Sequence, residues 1–134
     1  MVNFTGAERL LDKVFIDGVM GIDQAAVATW RYLNSTLSGL SPEERAGIEQ
    51  WTNLTRALER ALRRLPGPDQ YVLKLRFGLE DGILHTQRQV GLSLGLAARR
   101  IGQIEERALR RLRHPAWNRG LVRAMGSVNV TRRL

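Results

Sequence analysis

The sequence predicts an all-α fold, a helical bundle with a C-terminal helix-turn-helix, and three observations carry that prediction. Apolar residues recur at three- and four-residue spacing along most of the chain, the period of one helix face. Helix starts of the form Ser/Thr-x-x-Glu/Gln stand at Thr5, Ser41 and Thr86. Glycine and proline fall between the periodic stretches, and no stretch alternates apolar and polar residues as a half-buried strand does.

Taken in order, Thr5-Gly-Ala-Glu8 is expected to cap a first helix carrying Ala7, Leu10, Leu11, Val14 and Phe15, ending near Met20. Asp23 is expected to cap a second, with Ala26, Val27, Trp30, Leu33 and Leu37 on its apolar face. Ser41-Pro42-Glu43-Glu44 opens a third, serine as cap and proline at the first helical position. One stripe (Ile48, Trp51, Leu54, Leu58, Leu62, Leu65) predicts that this helix runs unbroken to about Leu65. Pro66-Gly67-Pro68 interrupts the chain. A fourth helix then runs through Val72, Leu75 and Phe77 to Gly78.

From His85 to Pro115 the pattern is a helix, a tight turn and a helix. Thr86 and Gln89 form the capping box, Val90 and Leu94 stand one turn apart, and Gly95 is placed to end the first helix. The second begins at about Ala98, with Ile101, Ile104, Ala108 and Leu112 on one stripe and arginines on the other faces. Pro115 stops it, because the residue before a proline is driven out of the α region. Trp117, Leu121, Val122 and Met125 predict a last short helix before a polar tail from about Gly126. Two short helices joined by about three residues, the second rich in arginine, are the pattern of a helix-turn-helix DNA reader.

Charge supports that reading through its distribution. Net charge is +8, yet residues 1–50 carry −3, residues 51–87 carry +2 and residues 88–134 carry +9. A polyanion partner is therefore expected at the C-terminal end alone. No run of about 18 apolar residues predicts a membrane span. The first residues lack the basic flank and apolar run of a signal peptide. The chain has no cysteine, hence neither disulfides nor thiolate metal sites. A cytoplasmic protein without cofactor or metal is expected. Catalysis is not: His85 and His114 sit in unlike contexts, and the adjacent pairs Glu43-Glu44 and Glu105-Glu106 point to different helix faces.

The letters add a resemblance. RFGLEDG at Arg76–Gly82, Thr86, Val90-Gly91 and RIGQIEERALRRLRHP at Arg100–Pro115 closely resemble region 4 of the bacterial sigma-70 family, over roughly Leu58 to Pro115. The resemblance implies a domain that reads the promoter −35 element and holds the flap of the RNA polymerase β subunit. It assigns Thr86, Arg88, Arg99, Arg100, Gln103, Arg107, Arg110 and Arg111 to double-stranded DNA. It assigns Leu62, Leu65, Tyr71, Val72, Leu75, Phe77 and Leu79 to polymerase. Primary sigma factors usually carry Arg, Glu and Arg at the places of Ala98, Arg99 and Gly102, so the usual −35 readers are lost here and only Gln103 is kept.

The expected organisation is an N-terminal helical module, residues 1–57, that binds a partner or a second copy. A region 4-like domain follows at 58–125, then the tail at 126–134. The expected function is a non-enzymatic transcription regulator binding polymerase, promoter DNA or both. It is not a complete sigma factor, and is of the kind a phage or mobile element carries. Two alternatives stand beside it: an inhibitor that occupies the flap without reading DNA, and a plain helix-turn-helix repressor or packaging protein.

Overall fold

The computed structural model describes residues 2–15 and 24–132. The expected end of the first helix and the Asp23 cap lie outside these residues. Among the described residues there are helices and no strand: α1 (Phe4–Phe15), α2 (Gln24–Leu37), α3 (Pro42–Ala46), α4 (Glu49–Arg63), α5 (Gly67–Phe77), α6 (Gln87–Leu94), α7 (Ala98–Arg113) and α8 (Pro115–Arg132).

Local chemistry sets most of these boundaries. The capping boxes at Ser41 and Thr86 both form, each side chain accepting the backbone N–H three residues on. α1 departs from expectation. It starts at Phe4, and Asn3 Oδ1 accepts the Gly6 N–H at 3.0 Å, so Asn3 takes the capping role expected of Thr5. Glu8 instead pairs with Arg45 of α3 at 2.9 Å. The third predicted helix is two helices. Ile48 is extended (φ −97°, ψ 113°) between α3 and α4, which re-aims the chain so that Trp51 and Leu54 enter the core. The apolar stripe runs across this break, so periodicity alone did not reveal it. α8 is longer than expected, its backbone staying helical to Arg132 where a tail was predicted from Gly126. Of the pair one turn apart on α6, Val90 is buried and Leu94 is 38% exposed.

One large core spans both halves of the chain. Leu10, Leu11 and Phe15 of α1, Trp30 of α2 and Trp51, Leu54 and Leu58 of α4 join Leu109 and Leu112 of α7 and Leu121 and Met125 of α8. Trp30 and Trp51 stack with ring centroids 6.4 Å apart, and Phe4 meets Trp51 edge-on at 5.7 Å. Both indoles are fully buried, so they anchor the interior and offer no surface to a protein partner. A smaller cluster of Val72, Val90, Ile101 and Ile104 welds α5 to the helix-turn-helix.

The N-terminal helix is fastened to the C-terminal half by backbone contacts. Asn3 N–H donates to the Leu79 carbonyl at 2.6 Å, and Arg9 reaches the carbonyls of Phe77 and Gly82, each at 3.3 Å. At the far end of α1, Arg113 donates to the Lys13 carbonyl at 3.0 Å. A Cβ on Gly6 would overlap the Gly78 carbonyl, which cannot move aside because Gly78 already holds a left-handed turn (φ 66°). Gly6→Ala is therefore expected to lower stability by about 1–3 kcal/mol, the usual cost of overpacking. Urea denaturation of the variant would measure the loss, and an unchanged midpoint would show that α1 does not press on this turn.

Candidate nucleic-acid interface

The helix-turn-helix is built tightly. α6 ends in Gly95 (φ 71°), and the Leu96 N–H returns to the Gly91 carbonyl at 2.8 Å. A Cβ at Gly91 would strike the Leu96 carbonyl oxygen, so only glycine lets α6 lie this close to the turn. Arg76 of α5 ties the unit together, donating to Glu105 of α7 at 2.6 Å and to the His85 carbonyl at 3.0 Å. The Tyr71 hydroxyl meets Ser93 Oγ of α6 at 2.6 Å.

α7 buries Ile101, Ile104, Ala108, Leu109 and Leu112 and turns its remaining faces outward. The eight residues assigned to DNA then divide. Thr86, Arg88, Arg99, Arg100, Gln103 and Arg110 are exposed. Thr86 Oγ1 is also the helix cap, accepting from Gln89 N–H at 3.0 Å. Arg100 donates to Gln103 Oε1 at 3.2 Å, which leaves the glutamine its amide NH2 and one oxygen lone pair to present.

Arg107 and Arg111 stand apart from these six. One helical turn from each other, they grip the two oxygens of Asp69, at 2.6 and 2.8 Å. Asp69 is fully buried in the first turn of α5. Its hydrogen bond, and then its charge, raise the Arg107 pKa above the ordinary guanidinium value. A buried carboxylate with two charge-assisted bonds is satisfied only while both arginines stay. Their first duty is thus to the fold, although the side chains stay 38% and 34% exposed.

Gln87 is the residue sequence reasoning missed. Its side-chain amide lies over Gly102, where a Cβ would come within 3.1 Å. Gly102, one of the positions where the usual reader is lost, is thus covered by a side chain from α6. No local signal marks it, because the contact exists only once α6 and α7 are crossed.

The seven residues assigned to polymerase do not line one open groove. Leu62, Leu65 and Leu79 are buried in the large core, with Phe77 half-buried against it. Val72 is buried in the smaller cluster, with Tyr71 and Leu75 half-buried at its edge. A cleft of about 300 Å³ takes in Leu62 and Leu79, but Val2, Glu59, Arg63, Gln70, Lys74 and Glu80 complete its lining. Among the described residues no group of His, Asp and Glu side chains could hold a metal, and no helix is long and apolar enough to cross a membrane.

Comparison with known proteins agrees with this geometry. The family model described as Sigma-70, region 4 matches residues 61–114. Two curated relatives, both named RNA polymerase sigma factor SigA, come from Listeria monocytogenes and Listeria innocua. Each is 43% identical over 81 residues, covering 60% of this chain and 21% of the relative. The chain thus aligns with about a fifth of the length of the relatives it matches. The stretch from the end of α4 to the end of α7, which forms the helix-turn-helix, is the stretch that matches sigma-70 region 4.

Proposed function

We propose that this protein is a non-catalytic transcription regulator whose region 4 domain contacts duplex DNA through α7 and the start of α6, and RNA polymerase through the edge of α5. The observation that carries the reading is the division within α7. Its scaffold side chains are buried as a helix-turn-helix requires, and its outward face is cationic, with Arg99, Arg100 and Arg110 exposed. Ala98 and Gly102 cannot donate to a base, and arginine at position 99 reverses the charge a glutamate would offer a cytosine amine. A site other than the usual −35 element is therefore expected. Among the described residues the N-terminal helices are built into the core around the tryptophan stack, and Tyr32 is the large aromatic side chain they leave exposed.

A second reading, occupancy of the polymerase flap without DNA reading, draws support from the same loss of readers at Ala98 and Gly102. On either reading the polymerase contact is expected at Tyr71, Leu75 and Phe77, the assigned residues that keep exposed surface. Pull-down of RNA polymerase combined with duplex binding separates the readings. Binding of both supports the regulator, and polymerase alone leaves the flap occupant.

Arg99→Ala offers the sharper test of reading. Arginine pairs with guanine O6 and N7 and discriminates by about 1–3 kcal/mol. Selection from random duplexes should yield a motif that relaxes at one base pair in Arg99→Ala. A motif that this variant leaves unchanged would take Arg99 off the base edges.

A further inference from the structure

One cluster has no part in the reading above. Where α7 gives way to α8, a cavity of about 370 Å³ is lined by Arg107, Arg110, Arg111, His114, Ala116 and Trp117. The half-buried Trp117 ring receives two guanidiniums, Arg64 at the C-cap of α4 at 5.1 Å from its centroid and Arg111 at 5.9 Å. Arg64 also donates to the Ala116 carbonyl at 3.3 Å, which ties α4 to the first turn of α8. Cation–π contact of this kind holds long side chains in place before any ligand arrives. His114 Nδ1 accepts the Ala116 N–H at 3.1 Å, which leaves Nε2 as the ring's donor nitrogen.

No carboxylate lines this cavity. Asp69, which partners Arg107 and Arg111, is fully buried, and it supplies one negative charge against two. Arg64 and Arg110 are exposed, with no carboxylate partner among the described ion pairs. The negative end of the α7 dipole lies here and disfavours an anion, but it amounts to about half a charge and the last turn holds Arg110, Arg111 and Arg113.

We propose that this junction seats a backbone phosphate of the same duplex that α7 faces at its other end, with Arg64 and the head of α8 as parts of the DNA contact. The proposal rests on the DNA-binding reading. Arg99 and Arg110 are eleven positions apart, about 17 Å along a helix at ~1.5 Å per residue. That exceeds the roughly 12 Å width of the major groove. A helix that holds Arg99 at base edges therefore carries Arg110 and His114 out to the rim, where the phosphates stand. The lining favours phosphate over a protein surface. Arginine and tryptophan also anchor protein interfaces, but here three arginines line a cavity without a carboxylate, and the one aromatic is overlaid by guanidiniums instead of offering an apolar face.

The test uses the intact chain with a random-sequence duplex of about three helical turns, reading binding by anisotropy of labelled DNA and tryptophan emission together. Trp30 and Trp51 are buried, so the emission change on binding is expected from Trp117 and should vanish in Trp117→Phe. Arg64→Ala should weaken binding about fivefold near 0.15 M salt and reduce the log–log salt slope by about one, with the selected sequence unchanged. If Arg64→Ala misfolds, Arg110→Ala should show the same drop in slope. Normal folding with wild-type slope in both variants would overturn the seat while leaving base reading by Arg99 intact. Wild type binding a poly-glutamate peptide as tightly as duplex would also overturn it, by assigning the seat to acidic protein. A wild type that binds no duplex would overturn the seat and the DNA-binding reading together.

Discussion

Replacing Arg107 and Arg111 together by alanine is expected to destabilise the protein by about 3–5 kcal/mol, the cost of leaving a buried charge without its partners. Asp69 is fully buried and the two arginines hold one oxygen each. Removing either alone should cost less, because the other still neutralises the carboxylate, so the two losses should not add. Urea denaturation of the single and double variants measures this, with Asp69→Asn in the double background as the control. That third change should recover part of the lost stability by removing the orphaned charge. If the double variant melts with the wild type, the Asp69 pairs do not hold α5 to α7.

Duplex affinity is expected to fall by roughly 300- to 1,000-fold between 50 and 200 mM salt, a log–log slope of about −4 to −5. The slope follows from which cations are free. Arg88, Arg100 and Arg110 are exposed and the Arg64 seat adds a fourth phosphate contact, with Arg99 bringing its charge into the groove between the phosphates, whereas Arg107 and Arg111 are committed to Asp69. Counting every assigned arginine as a phosphate contact would give a steeper response. A titration across that salt range decides it. A flat response would remove duplex binding from the function, whatever the fold resembles.

Much of the fold was legible because its signals are local. Thr86 and Ser41 announce their helices within four residues, Gly95 and Pro115 close theirs, and the stripe from Ile101 to Leu112 shows which side of α7 is buried. The break at Ile48 was not legible, since a stripe that continues across an extended residue looks like one helix. Nor was the cap at Asn3, which competes with Thr5 on nearly equal chemistry and is decided by the bond from Asn3 to Leu79 far along the chain.

By itself, the sequence determined an all-α chain whose basic C-terminal half carries a sigma-70 region 4 helix-turn-helix, because capping, periodicity and motif letters act over short distances. The tertiary structure alone decided which arginines of α7 are held by a buried carboxylate. Asp69 lies 38 and 42 residues from the two it captures, and nothing in a local window reveals that pairing. It also decided that Trp30 and Trp51 are core and that Leu62, Leu65, Val72 and Leu79 are covered. Burial depends on what the remote helices α1 and α8 bring to a face, and an apolar side chain reads the same in sequence whether it waits for a partner protein or already packs against its own chain.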